Sequence, residues 1–298
     1  MPDRRFTQHR WCVRLTAGFV LFFGSVAAYG SQADSPSSAV PQRSNATVKI
    51  MPLGDSITQS NKGLNSYRYY LWHLLLDQGY HTDFVGFQHG VGNGPPANPD
   101  FDMDYEGHAG WRADEVLVQI QAWATAASPD FVLLHIGTND LSQGQSVAST
   151  VSDIGGIIDV LRTVNPRIQI LLAQLIAKTG VPSIAVLNGN LPALVADKKQ
   201  AESPIVLVDQ YTGFDPSTMT YDGTHPNAIG DSRMADRWFE KLAPMLDAFL
   251  TQPRSRAAIK LTPLRPLLIM PQPPFRLSDQ PYAPLVQGPS YQPTTPAM

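Results

Sequence analysis

Val48-Lys49-Ile50-Met51-Pro52-Leu53-Gly54-Asp55-Ser56 is a short apolar run that ends in Gly-Asp and then a hydroxyl. Read as a strand, residues 48–53 carry the chain through Gly54-Asp55 to a turn into a helix, which exposes Ser56 at a sheet edge. Three further segments follow in order: Gly110 within Glu106-Gly107-His108-Ala109-Gly110-Trp111, Gly137-Thr138-Asn139-Asp140, and Asp222-Gly223-Thr224-His225. Each sits where a predicted strand ends, so one parallel sheet can bring all four to its C-terminal edge.

Around these segments strand and helix signals alternate. Tyr67 to Gln78 is helical, with Tyr70, Leu71, Leu74 and Leu75 on one side, and Phe84 to Phe87 reads as a second strand. A long Gly/Pro/Asn loop runs from Gln88 to about Gly110, and a helix from Ala113 to Ala126 carries Val116, Ile120 and Trp123 at helical spacing. Phe131 to Ile136 is almost wholly apolar, the mark of a strand covered on both faces. Val147 to Val164 is a helix stopped by Asn165-Pro166, and Ile168 to Leu172 and Ile205 to Val208 are two more strands. Ser183 to Gln200 is helical in part, and Pro192 predicts a break there. Asn227 to Phe249 closes the body, with Ile229, Met234, Trp238, Leu242 and Leu246 expected inward. The alternation predicts an α/β fold, a three-layer α/β/α sandwich around a five-stranded parallel sheet.

The two ends differ from the body. Arg4, Arg5, Arg10 and Arg14 precede an apolar run from Leu15 to Tyr29, followed by small residues, so 1–33 reads as a secretory signal too short for a comfortable span. Residues 34–45 read as a flexible leader, 46–250 as one domain, and 251–298 as a basic tail expected to be largely disordered. Eleven of the 26 prolines fall in that tail, which places it outside any regular core. The only cysteine, Cys12, precedes the apolar run, so the exported chain has no thiol and no disulfide. The chain carries a net charge of −3, but removal of 1–33 takes away +3 and the tail holds +4, leaving the body near −10. Such a body repels phosphate and argues against nucleic acid as a partner. A monomer outside the cell or in the periplasm, with no stable membrane insertion, is the expectation.

The four segments supply the parts of an acyl-transfer site: a nucleophile, a base, a residue to orient the base, and oxyanion donors. Ser56 is the candidate nucleophile, although a Ser in this position also reads as a helix N-cap. His225 is the natural base, and Asp222, three residues upstream, can hold its tautomer within one turn. Asn139 can donate a side-chain N–H, though Asn is also an ordinary turn residue. Gly110 can offer a backbone N–H with no side chain in the way. The histidines show no metal-ligand spacing, so no metal is expected. His108, beside the Gly110 loop, can line a pocket, and Tyr105, Trp111 and Tyr221 can offer a sugar ring a flat apolar face. His135, inside the apolar strand, reads as a buried structural residue.

Taken together, the four segments resemble the signature blocks of the SGNH (GDSL-type) hydrolase superfamily, over roughly residues 47–250. Met51 to Thr58, Tyr105 to Arg112 and Asp209 to Gly230 look most like the secreted carbohydrate esterase family 3 enzymes, which include acetyl xylan esterases. The resemblance implies a flavodoxin-like sandwich and Ser-His-Asp catalysis without metal or cofactor. By position, Ser56 would be the nucleophile, His225 the general base and acid, and Asp222 the orienting carboxylate. The Ser56 and Gly110 N–H groups and the Asn139 amide would form the oxyanion hole. It also implies acylated carbohydrate as substrate. The Pro-rich basic tail departs from the pattern.

Overall fold

A computed structural model describes residues 44–251. The signal segment, most of the leader and the tail beyond Thr251 therefore lie outside the described residues. The strands are β1 (Val48–Gly54), β2 (Thr82–Phe84), β3 (Gln88–His89), β4 (Asp104–Gly107), β5 (Phe131–His135), β6 (Gln169–Ala173) and β7 (Ile205–Val208). The helices are α1 (Ser56–Gln59), α2 (Tyr67–Asp77), α3 (Ala113–Ala127), α4 (Thr138–Ser142), α5 (Val147–Val164), α6 (Ser183–Asp197), α7 (Pro216–Met219) and α8 (Ala228–Thr251).

Five strands pair in parallel in the order β2-β1-β5-β6-β7, the five-stranded core expected for the fold. Two short strands extend it. β4 runs parallel to the end of β1 where β2 has stopped, and β3 pairs antiparallel to β4. The segment expected as a continuous loop thus contains a small sheet extension. Its pairing is two residues long on each side, below what a periodicity reading resolves. The second core strand also lies earlier than expected, over 82–84.

Side chains alternate across the sheet and build two cores. Val48, Ile50, Phe131, Leu133, Leu171 and Ala173 face a cluster with α2 and α8, around the fully buried Trp238. Met51, Leu53, Val132, Leu134, Ile170 and Leu172 face the other, with α3, α5 and α6. That is the three-layer sandwich.

Two helix expectations need correction. α6 runs through Pro192 without a break. The ring removes the N–H that would serve the Asn188 carbonyl four residues back, and Gln174 Nε2 donates to that carbonyl instead, at 3.4 Å. Ile229, expected inward on α8, is 61% exposed, on the first turn of a helix that starts only at Ala228. Met234, Trp238, Leu242 and Leu246 are fully buried as expected. Among the described residues no helix is long and apolar enough to cross a membrane.

Candidate active site

The chain runs from β1 to β2 on one side of β1, then reaches β5 on the other, so the topological switch point lies between β1 and β5. Ligands of open α/β sheets bind in the crevice beyond the strand ends at such a point. Gly54, the last residue of β1, is in register with both His135 of β5 and Gly107 of β4. Ser56, Gly110 and Asn139 therefore follow three adjacent strand ends by two, three and four residues. A side chain at Gly54 would meet the His135 carbonyl at 2.4 Å and Thr58 Oγ1 at 2.5 Å, which is why this position has none.

Ser56 opens the short helix α1, but the N-cap is Asp55: its Oδ1 accepts from the Ile57 N–H at 2.9 Å. The Ser56 hydroxyl is thereby left to other chemistry. His225 Nε2 lies 2.9 Å from Ser56 Oγ, and His225 Nδ1 lies 2.6 Å from Asp222 Oδ2. A carboxylate only accepts, so Nδ1–H donates to Asp222 and Nε2 is the lone pair facing the Ser56 hydroxyl. Asp222 Oδ1 also accepts the backbone N–H groups of Thr224 and His225, at 2.9 and 2.7 Å. Burial works to raise the Asp222 carboxyl, but the bonds from His225 and Thr224 outweigh it and hold the group below its ordinary range. Asn227 caps α8 through Oδ1, accepting from Ile229 and Gly230, and fixes where the His225 turn enters the helix.

Gly110 is the third residue of a β-turn closed by Trp111 N–H to the His108 carbonyl at 3.2 Å, and its φ of +82° is what such a turn demands there. Nothing would touch a side chain at Gly110, so conformation rather than space requires glycine. Among the described residues no acceptor faces the N–H of Ser56 or of Gly110. Asn139 Nδ2 donates one hydrogen to the Trp111 carbonyl at 2.9 Å, which leaves its second N–H free. The arrangement can therefore take a proton from a hydroxyl and offer three N–H donors to a developing anion.

The remaining expected residues divide. Tyr221 is 49% exposed and its ring lies 5.7 Å from that of His225, nearly parallel. Trp111 is half-buried against His108. The His108 side chain is only 13% exposed and its Nε2 lies 2.6 Å from Oε1 of the buried Glu106. Tyr105 does not face solvent: it is 1% exposed, and the Arg68 guanidinium covers its ring at 3.9 Å. Its place beside a glycine-rich motif suggests an open face, whereas in β4 it lies in the core. His135 is buried as expected; burial pushes it down to about 4, so it stays neutral and accepts the Ile176 N–H.

Several supporting residues went unnoticed in the sequence. Gln59 Oε1 accepts the Ala109 N–H at 3.1 Å, and Gln143 Nε2 donates to the Gly110 carbonyl at 3.0 Å. Asp140 accepts the Ala113 N–H with both oxygens, anchoring α3 directly after the Gly110 turn. Glu106, two residues before His108, was the one with a visible signal. Among the described residues no cluster of three or more His, Cys, Asp or Glu is placed to hold a metal.

A family model for GDSL-like lipase/acylhydrolases matches residues 53–233. The chain belongs to that family. Among solved structures, this GDSL-like chain is similar to a carbohydrate esterase family 3 structure from Talaromyces cellulolyticus at 30% identity and TM-score 0.62, covering 67% of this chain and 99% of that one. A Clostridium thermocellum family 3 carbohydrate esterase matches at 31% and TM-score 0.61, covering 69% and 100%. The multidomain esterase of Ruminococcus flavefaciens is 29% identical in an alignment 237 residues long that covers 70% of this chain. The chain spans 30% of the length of that relative. The GDSL-like domain is thus that of a carboxylic ester hydrolase, with the sandwich fold of the family 3 structures.

Proposed function

We propose that this GDSL-like domain is an exported serine esterase that removes short acyl groups, acetyl above all, from carbohydrate, with xylan or a related polysaccharide as substrate. The observation that carries the proposal is the unbroken chain Asp222–His225–Ser56, with contacts of 2.6 and 2.9 Å, beside three N–H donors. The names of the family 3 carbohydrate esterases and the multidomain esterase support the substrate class. The Arg-rich, apolar segment 1–33 supports export.

In this reading Ser56 Oγ attacks the ester carbonyl carbon while its proton passes to His225 Nε2. The carbonyl oxygen becomes an oxyanion held by the N–H groups of Ser56, Gly110 and Asn139. Collapse expels the sugar alkoxide, which takes the proton from Nε2 and leaves an acetyl-Ser56. Water then attacks the acetyl carbon, gives a proton to Nε2, and the second tetrahedral species releases acetate as Ser56 Oγ is reprotonated. Asp222 keeps its charge throughout and stabilises the imidazolium. Tyr221 and Trp111 flank the leaving sugar.

Acetate release from acetylated xylan, with Ser56→Ala as control, tests both parts. Release by the wild type alone is expected. Equal release by Ser56→Ala refutes the serine mechanism. Cleavage of p-nitrophenyl esters with a preference for C8 over C2, and none of xylan, refutes the carbohydrate assignment and favours a lipase-like acylhydrolase.

A further inference from the structure

We infer that the buried Glu106–His108 pair is a positioning device for the Gly110 N–H, in place of the substrate contact that the sequence suggests for His108. The inference rests on the oxyanion role proposed above for Gly110.

Glu106 comes off β4 fully buried. Its Oε2 accepts the Phe87 N–H at 2.9 Å, and its Oε1 lies 2.6 Å from His108 Nε2. Among the described residues no lysine or arginine pairs with it, and the imidazole is the one side chain in hydrogen-bond contact with it. A carboxylate so far from water is costly unless paired, which ties the ring to this one place. The ring is clamped as well: Trp123 stacks on it at 4.4 Å and 11°, and Trp111 lies at 4.6 Å and 31°.

His108 is also the first residue of the turn that carries Gly110. Its N–H donates to the Gly54 carbonyl at 3.0 Å, and its carbonyl accepts from Trp111 N–H. Gln59 holds the Ala109 N–H, Gln143 the Gly110 carbonyl, and Asn139 the Trp111 carbonyl. The peptide unit between Ala109 and Gly110 is the one in this turn with no hydrogen-bond partner among the described residues. Its plane is therefore set by the residues flanking it, and His108 is the flank with a locked side chain. An oxyanion donor must be aimed before the charge develops, and a misplacement of about 1 Å is worth about 100-fold in rate.

The test uses the full chain with p-nitrophenyl acetate, comparing the wild type with Glu106→Gln, His108→Phe and the double variant. Phe keeps a flat ring packed against both tryptophans and deletes the bond to Glu106. Each variant should lose about 10- to 100-fold in kcat with KM changed less than about threefold. Affinity for methylboronic acid should fall by the same factor, since Ser56 Oγ adds to boron as its proton passes to His225 and the adduct carries the anion. The double variant should lose no more than the worse single one, because the pair acts as a unit. Folded variants with unchanged kcat and boronate affinity overturn the inference, and so does a rise in KM alone. Should the buried variants fail to fold, Trp123→Leu removes the half-buried ring that stacks on His108 and holds it in place. It should lower kcat and boronate affinity together by about 3- to 10-fold, and no change in either overturns the inference. Ser56→Ala in the same assay separates the two readings. Full turnover in Ser56→Ala sinks the serine mechanism. Its loss of turnover, alongside unaffected Glu106 and His108 variants, sinks only the positioning role.

Discussion

Asp222 holds His225 at two points: Oδ2 against the ring Nδ1 at 2.6 Å and Oδ1 against the backbone N–H at 2.7 Å. The same carboxylate thus shapes the turn and selects the tautomer. Asp222→Asn can keep the backbone contact through its oxygen, but its amide can donate to Nδ1 and so favours the wrong tautomer. We expect kcat to fall by about 10³- to 10⁴-fold with a melting temperature near the wild type, measured on p-nitrophenyl acetate. A loss below tenfold would show that the tautomer is held by something else.

Asn139 spends one amide hydrogen on Trp111 and has one left for an anion. Asn139→Ala should lower kcat by about 10²- to 10³-fold, the usual cost of one oxyanion donor. KM should move little, since the donor acts on the transition state. A variant that changes KM and spares kcat would assign Asn139 to ground-state binding.

Asp55 is fully buried, and burial pushes its carboxyl from 3.8 up to about 6, with Asp140 adding to the rise and His225 and Lys178 opposing it. The folded state therefore keeps a proton that the unfolded chain loses between about pH 4 and 6. Stability contributed by this group is present at low pH and falls as pH rises through that window, a cost of about 3 kcal/mol at pH 7. Asp55→Asn has no such titration. Its melting temperature relative to the wild type should become more positive by several degrees from pH 4 to pH 7. A difference that does not change with pH contradicts the raised pKa.

Arg68 is fully buried and, among the described residues, has no carboxylate in hydrogen-bond contact. Its guanidinium donates to the carbonyls of Thr58, Gln59, Gly90 and Met103, joining the end of α1 to the segment that carries β3 and β4. Burial lowers it to about 10, so it remains charged at pH 7. Arg68→Met should leave the Gln59 and Gly90 carbonyls without donors, while Ser66 Oγ still serves Thr58 and the Gly90 N–H still serves Met103, and should cost about 3–5 kcal/mol in urea unfolding at pH 7. Arg68→Lys should recover only part of that, because a single ammonium cannot serve four directions. A loss under about 1 kcal/mol for the Met variant would show that water replaces the guanidinium.

Local signals were enough for the parts of this molecule whose information is contiguous. Period and length marked the five core strands and the long helices, since an amphipathic helix or a doubly covered strand writes its burial into consecutive residues. Ser56 and Asn139 were readable because each closely follows a predicted strand, and a parallel sheet gathers strand ends whatever lies between them. Gly110, Asp222 and His225 were readable from their glycine-containing turn motifs, the last two in the turn before α8 and well past β7. The Asp222–His225 contact spans three residues and is nearly a local property.

Only the folded chain could decide what depends on residues far apart. The two-residue pairing of β4 with β1 sends Tyr105 inward onto Arg68, and no window around Tyr105 contains that information. Pro192 sits within an unbroken helix whose orphaned carbonyl is served by Gln174, one residue past β6. The same holds for Gln59, the Glu106–His108 pair and Gln143, whose contacts around Gly110 arise from three different segments. Burial and hydrogen-bond satisfaction are sums over neighbours in space, and the chain states them only once it has folded.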